Sequence, residues 1–355
     1  MGNRYDRWWR RTGKKKPFRY TDAQGRRITD ARKLERLEAL RIPPAWREVR
    51  ISPSPRAKLQ AVGFDEKGRR QYLYHADWVA AQAAQKYDKL VRFVRQLPHF
   101  REVTTAHLSE PGLGKQKVLA LVTRLINEGC FRVGGERYAR ENHSFGIATL
   151  MRTHLHVGGS YVRFTYTGKR GIRQSKVIPD PEMVALICEV KALRGRRLFK
   201  YRKEDGTIGL VTGREVNAYI KAIMGPEFSA KDFRTWGGTL LAARVLAGYG
   251  PAETATRRKQ VIRRTVAAVA NFLGNTPAIA RASYISPRVF ERYEEGVTIK
   301  DFLPRGKRRV ALRQAGYTDE EIEIMRMLCI ECEPDPRVTI TRQAAPVTAS
   351  EEAGA

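Results

Sequence analysis

Four short stretches of this chain hold side chains able to act together on an anion. Phe131-Arg132-Val133-Gly134-Gly135-Glu136-Arg137-Tyr138 follows a glycine break and opens a helical stretch. Gly168-Lys169-Arg170-Gly171 is a tight turn between two strand-like runs, a place where a lysine can swing. Lys231-Asp232-Phe233-Arg234-Thr235-Trp236 precedes a run of small residues, and Leu273-Gly274-Asn275-Thr276-Pro277 leads on to Tyr284 in Ala-Ser-Tyr-Ile-Ser-Pro. Taken singly each residue reads blandly: Tyr284 is one of 14 tyrosines, and Lys169 beside Arg170 is an ordinary solvated tip. Taken jointly they supply guanidiniums, an amine, an amide and a phenol, a set suited to phosphodiester chemistry. Other enzyme signals are missing. There is no Walker loop, no G-x-S-x-G elbow and no carboxylate cluster for a two-metal nuclease; Asp180-Pro-Glu182 and Asp319-Glu-Glu321 read as turn or helix-start acids. A chain like this, if it cuts phosphodiesters, must stabilise charge with its own cations.

The composition points to the same partner. The 355 residues carry 67 Lys and Arg against 37 Asp and Glu, a formal net charge of +30. An extended anion would relieve that self-repulsion by releasing condensed counterions, so nucleic acid fits best. A membrane surface fits less well, because neither a basic amphipathic helix nor a lipidation site stands out. With 42% apolar residues a core can form. No run reaches the roughly 18 apolar residues of a membrane span, and the opening residues lack the apolar stretch of a secretory leader. The expectation is a soluble cytoplasmic protein. Cys130, Cys188, Cys329 and Cys332 are too scattered for a disulfide framework, Cys329-x-x-Cys332 lacks the partners of a zinc site, and His154-x-His156, read as one strand face, lacks a third ligand, so no metal is expected.

These groups need elements to hold them. Residues 1–20 read as a basic arm or a solvated end. Thr29 can cap a helix through Leu34, Leu37 and Leu40 that Pro43-Pro44 stops. Strand-like runs follow at 49–51, 59–64 and 69–74, the last two joined as a hairpin by Asp65-Glu-Lys-Gly68. A helix starts near Asp77, and Pro98 reads as a hinge. Beyond it helices dominate: Val118, Val122 and Leu125 form one stripe ended by Gly129, and Ile262, Val266, Val269 and Leu273 form another whose start is crowded by Arg257, Arg258, Lys259, Arg263 and Arg264. Between them, 153–157, 161–167 and 172–178 read as strands. Thr276-Pro277 and Ser286-Pro287 each start a helix. The expected domains are a β-rich DNA-binding unit (1–92), a mainly helical catalytic unit (93–328) and a disordered tail (329–355).

At these motifs the chain resembles the type IB DNA topoisomerases, specifically their small poxvirus and bacterial branch. The likeness runs from Gln71-Tyr72-Leu73-Tyr74 to Pro287, with the motifs in the family's order and at its gaps. The resemblance implies an α+β fold: a small β-rich N-terminal domain and a larger, mainly α-helical catalytic domain with a three-stranded antiparallel sheet, closing on duplex DNA as a clamp. It implies a catalytic set of Arg132, Lys169, Arg234, Asn275 and Tyr284. Asn275 stands where poxvirus enzymes carry His, as in bacterial members; it can donate a hydrogen bond but carries no charge. By that reading Tyr284 attacks phosphorus to form a 3′-phosphotyrosyl ester, the arginines and Asn275 hold the non-bridging oxygens, and Lys169 protonates the leaving 5′-oxygen. The freed strand rotates and the reaction reverses, with no metal, nucleotide or other cofactor. DNA contacts are implied for Gln71, Tyr72, Tyr74, Tyr138 and Lys231, although Gly135 replaces a basic contact of the family. A monomer on double-stranded DNA, associated with the nucleoid, would suffice.

Two other readings compete. Tyrosine recombinases share the nucleophile and arginine logic, but typically show His-x-x-Arg where this chain has Lys231-Asp-Phe-Arg234, and a helical rather than strand-rich N-terminal half. A non-catalytic architectural protein would explain the charge and leave Lys169 and Tyr284 without a purpose.

Overall fold

The computed structural model describes residues 5–13, 17–304 and 306–328. Contacts divide the chain into two units, Met1–Lys89 and Leu90–Ala355. In the first, β1 (Trp9–Thr12) and β2 (Arg19–Thr21) precede helix α1 (Ala31–Ala39), after which β3 (Arg47–Ile51), β4 (Leu59–Phe64) and β5 (Arg70–Tyr74) complete a five-stranded sheet of order β2-β1-β3-β4-β5. Leu37, Val49, Ile51 and Ala61 are buried at its centre, with Trp9, Phe18 and Trp46 packed around them.

The segment expected as a basic arm or a solvated end is thus, over its described residues, an edge hairpin. Strand alternation turns Arg11 inward. Its buried guanidinium donates to the carbonyls of Ile42, Pro43, Pro44 and Trp46 and lies 4.2 Å from the Phe18 ring centroid, so the charge is matched by the same turn that ends α1. Asp30, not Thr29, caps α1 by accepting from the Lys33 amide. The β4–β5 hairpin forms as the turn residues require: Asp65 accepts from the Lys67 and Arg69 amides, and Gly68 takes φ +70.

Helix α2 (Ala76–Arg95) leads into α3 (Leu97–Leu108). Pro98 occupies the first turn of α3, where a missing N–H costs nothing. Helix α4 (Lys115–Gly129) is enclosed on nearly every face, with Val118, Leu121, Val122, Leu125 and Ile126 all fully buried. A short helix α5 (Glu136–Asn142) precedes the sheet β6 (Leu155–Val157), β7 (Val162–Thr167) and β8 (Arg173–Ile178), which is antiparallel in chain order. Helix α6 (Pro181–Ala192) follows, then a two-stranded hairpin, β9 (Lys200–Arg202) with β10 (Ile208–Leu210), in a region where helices were expected to dominate. The remainder is α7 (Gly213–Met224), α8 (Ala230–Tyr249), α9 (Ala255–Leu273), α10 (Pro277–Tyr284), α11 (Pro287–Glu294), α12 (Lys307–Gln314) and α13 (Asp319–Leu328). The fold is the expected α+β class.

The two histidines do not share a strand face. His154 ends a 3-10 turn at 152–154, its Nδ1 accepting from the Met151 amide and its ring against Phe145, while His156 is exposed on β6. Cys329, Cys332 and the tail lie outside the described residues. Among the described residues no helix is long and apolar enough to cross a membrane.

Candidate active site

Four of the five expected catalytic residues meet at the C-terminal end of α9. Helix α4 ends at Cys130, whose left-handed backbone (φ 50, ψ 40) turns the chain so that Arg132 follows in extended structure. Arg132 is pinned there by its backbone carbonyl, which accepts from the Ile147 amide. Its Nη2 donates to the carbonyl of Gly274 at 2.9 Å and to Asn275 Oδ1. Arg234 sits one turn into α8 and is 3% exposed. Its guanidinium donates to the carbonyls of Cys130 and Leu273 and lies 5.1 Å from the ring centroid of Tyr284. Two donors of the cluster, Arg234 Nε and Asn275 Nδ2, are buried with no partner among the described residues. Unused buried donors are costly unless a ligand completes them.

Tyr284 is placed by close packing of backbone on backbone. It ends α10, which Thr276 caps and Pro277 opens, as the sequence signals indicate. Its carbonyl accepts from Thr239 Oγ1, and the same hydroxyl oxygen accepts from the Ser286 amide. The approach depends on Gly238: a Cβ there would stand 2.6 Å from the Tyr284 carbonyl oxygen and 3.1 Å from Leu273 Cδ1. Arg234 and Gly238 are four residues apart and so share a face of α8. One helix therefore fixes both an arginine and the nucleophile candidate.

Lys169 makes no hydrogen bond or ion pair with this cluster among the described residues, although its neighbour Arg170 acts electrostatically on Arg132. It stands exposed on the β7–β8 turn, where Arg170 and Gly171 both take positive φ, and its side chain makes no such bond elsewhere among them. Lys231 is exposed on the first turn of α8, one turn before Arg234. Tyr138 is 64% exposed on α5, a helix tied down by an ion pair between Glu136 and Arg197. In the N-terminal unit, Tyr72 and Tyr74 share the open face of β5 with Arg70, their ring centroids 6.3 Å apart. Gln71 alternates to the other face, where its amide donates to Asp65. Sequence reading missed two members of the open face: Trp78, 4.4 Å from Tyr74, and Lys58, 4.4 Å from Trp78. They extend the row of rings with a cation at its end.

Burial governs the electrostatics of the cluster. It draws the Arg132 guanidinium down to about 10, with repulsion from Arg234 adding to the effect. It pushes the Tyr166 phenol up to about 12 and the Cys130 thiol upward as well. Lys176, a residue the sequence reading passed over, is drawn down to about 8 by burial and by the two arginines. The site is a nest of buried positive charge, a poor place for any cation but a strong one for an anion.

Comparison with known proteins agrees. The catalytic-core model of eukaryotic DNA topoisomerase I matches residues 75–303, and the model of the bacterial DNA topoisomerase IB N-terminal domain matches residues 17–65. The chain belongs to the type IB DNA topoisomerases. A DNA topoisomerase 1B of Acanthamoeba polyphaga mimivirus is 32% identical over 268 residues, covering 74% of this chain and 80% of the viral one. A DNA topoisomerase 1B of Vaccinia virus (strain Copenhagen) is 22% identical over 255 residues, 69% of this chain and 74% of its own. This topoisomerase therefore contains all four clustered residues and the Lys169 turn within its matched core, while α12 and α13 lie beyond it.

Proposed function

We propose that this topoisomerase relaxes supercoiled duplex DNA through a transient nick, with Tyr284 as nucleophile. The Tyr284 phenol gives up its proton to solvent and its oxygen bonds to phosphorus as the P–O5′ bond breaks; the electron pair leaves on O5′, which takes a proton from the Lys169 ammonium. The product is a 3′-phosphotyrosyl ester of about the same energy as the bond it replaced, so the 5′-hydroxyl can reverse the step after the strand has rotated. Arg132, Arg234 and Asn275 take up the charge that develops on the non-bridging oxygens. The observation that carries this reading is the pair of unpartnered buried donors, Arg234 Nε and Asn275 Nδ2, beside the Tyr284 ring. Guanidiniums and an amide do here what a bound ion does elsewhere, so the chemistry asks for neither metal nor nucleotide. Lys169, unengaged on its turn, is free to meet the leaving oxygen when DNA arrives. Tyr72, Tyr74, Gln71, Tyr138 and Lys231 are read as DNA contacts, the exposed rings and Lys231 offering surface to it. One chain suffices for the reaction, and a charge of +30 favours association with the nucleoid.

The test is relaxation of negatively supercoiled plasmid in EDTA without ATP, stopped with detergent. Relaxed circles and a protein–DNA adduct at the 3′ end are expected, and Tyr284→Phe should abolish both while still binding DNA. Adduct formation by Tyr284→Phe, or a strict requirement for a divalent ion, refutes the reading.

A further inference from the structure

The inner face of β8 is polar where a strand packed under helices should be apolar. Alternation turns Gln174, Lys176 and Ile178 inward, and the two polar residues are only 5% and 6% exposed. A polar group at such a position costs folding free energy unless it is partnered, and a charge costs more. Both side chains lie against the same segment, from Phe272 to Asn275: Lys176 bonds it, and Gln174, whose amide donates to the Arg173 carbonyl, packs on it.

The Lys176 ammonium donates to the carbonyl of Phe272 and lies 4.1 Å from the centroid of that residue's ring. The Gln174 amide lies against Gly274, which takes φ +63; a Cβ at 274 would stand 2.2 Å from Gln174 Nε2. The same side chain backs Gly168, beside Lys169, where a Cβ would come within 3.0 Å of Gln174 Cγ. Three consecutive carbonyls at the end of α9 thus each accept from a different cation: Phe272 from Lys176, Leu273 from Arg234 and Gly274 from Arg132.

Electrostatics gives this arrangement a purpose. The last carbonyls of a helix lack intrahelical partners and carry its negative pole, roughly half an elementary charge. A phosphate brought to Asn275 would meet the wrong end of α9. Capping with three cations reverses the sign there. Arg132 and Arg234 have donors left for phosphate, but Lys176 is buried and serves α9 alone.

We propose that Gln174 and Lys176 are positioning residues for the cleavage reaction, seating the C-terminal end of α9 and through it holding Asn275 against the scissile phosphate. The charged and titratable groups around Lys176 are Arg132, Arg234 and the Cys130 thiol, so its ammonium is kept among like charges for the sake of that seat. The proposal rests on the type IB reading of the site.

The test measures single-turnover cleavage of a duplex oligonucleotide, and noncovalent affinity for the same duplex in a Tyr284→Phe background. Lys176→Met should slow cleavage about 10-fold or more, in line with the cost of a sub-ångström misplacement, and leave affinity within about twofold, because Lys176 does not reach DNA. Its effect should vanish in an Asn275→Ala background, since it acts through Asn275. A substrate with sulfur in place of the bridging 5′-oxygen needs no proton to leave; it should restore Lys169→Ala and leave Lys176→Met slow. Should Lys176→Met not fold, Gln174→Leu takes its place in every arm with the same expectations. Cleavage at the wild-type rate, independent effects of the 176 and 275 substitutions, or rescue by the sulfur substrate overturns the proposal. An adduct formed by Tyr284→Phe would instead defeat the reading on which it rests.

Discussion

Gly238→Ala separates the placing of the proposed nucleophile, Tyr284, from the stability of the fold. The added methyl would stand 2.6 Å from the Tyr284 carbonyl oxygen and 3.3 Å from Tyr284 Cβ, so the Tyr284 backbone itself must move. Ordinary contact between such atoms begins near 3.4 Å, which asks for a retreat of about 0.8 Å. A shift of about 1 Å in a reacting group costs on the order of 100-fold in rate. Cleavage should therefore fall roughly 30- to 100-fold, a barrier increase of about 2–3 kcal/mol. Stability moves less: overpacking costs about 1–3 kcal/mol, while removing a helix-interior glycine returns up to about 1 kcal/mol. Gly248→Ala is the control, because nothing lies within 4 Å of a Cβ at that position on the same helix. It should stabilise by about 0.5–1 kcal/mol and cleave normally. The assay is single-turnover cleavage with thermal melting of each variant. A Gly238→Ala enzyme cleaving within twofold of wild type would show that Tyr284 is not held by its seat on α8.

Lys169→Ala should slow cleavage of ordinary duplex by about 100-fold or more, the usual loss for a general acid, and regain most of it with a 5′-thiolate leaving group; an unchanged rate on ordinary duplex refutes the role. Arg70→Ala and Lys58→Ala, on the open aromatic face, should each lower the slope of log affinity against log salt by about 1, read by fluorescence titration at several salt concentrations; an unchanged slope removes that face from the DNA interface. Lys176 has a folded pKa of about 8 against an ordinary 10.5. Between those values the unfolded chain holds a proton that the folded chain has released, so folding becomes more favourable as pH rises from about 8 to 10.5, by at most about 3 kcal/mol. Urea unfolding of wild type and Lys176→Met across that window should show the wild type gaining on the variant; a constant difference refutes the buried ammonium.

Much of the site was legible because local rules fix its parts. Thr276-Pro277 and Ser286-Pro287 start helices for reasons internal to those dipeptides, and Gly168 and Gly171 bracket a turn that only a hairpin can use. What local rules cannot show is which faces meet. Arg11 is one basic residue among many until the Pro43-Pro44 carbonyls appear beside it. His154 and His156 have strand spacing, yet a side-chain bond to the Met151 amide winds the first into a 3-10 turn. The β9–β10 hairpin has three residues per strand, too few for a pattern. Lys176 did leave a signal: with Gln174 it places polar groups at the inward positions of a strand whose alternation was already visible. Strand registers read for hydrophobic alternation should also be read for its violations, since those mark groups the fold holds for a purpose.

The same cluster explains how a site so rich in buried cations stays assembled before DNA arrives. Arg132, Arg234 and Lys176 would separate if left to their mutual repulsion. Backbone carbonyls at the end of α9 and at Cys130 hold them instead, with neutral acceptors that satisfy part of each group's capacity. Arg234 commits Nη1 and Nη2 and keeps Nε; Arg132 commits only Nη2. The held donors fix the planes of the guanidiniums, and the spare ones set where an oxyanion can bind. On the proposed mechanism an arriving phosphate meets charge that is already oriented, so little reorganisation is left for the moment of reaction, which is where fixed dipoles outperform water. A carboxylate in place of those carbonyls would hold the arginines as firmly but neutralise them. That is the physical reason to find a helix terminus, rather than an Asp or Glu, as their partner here.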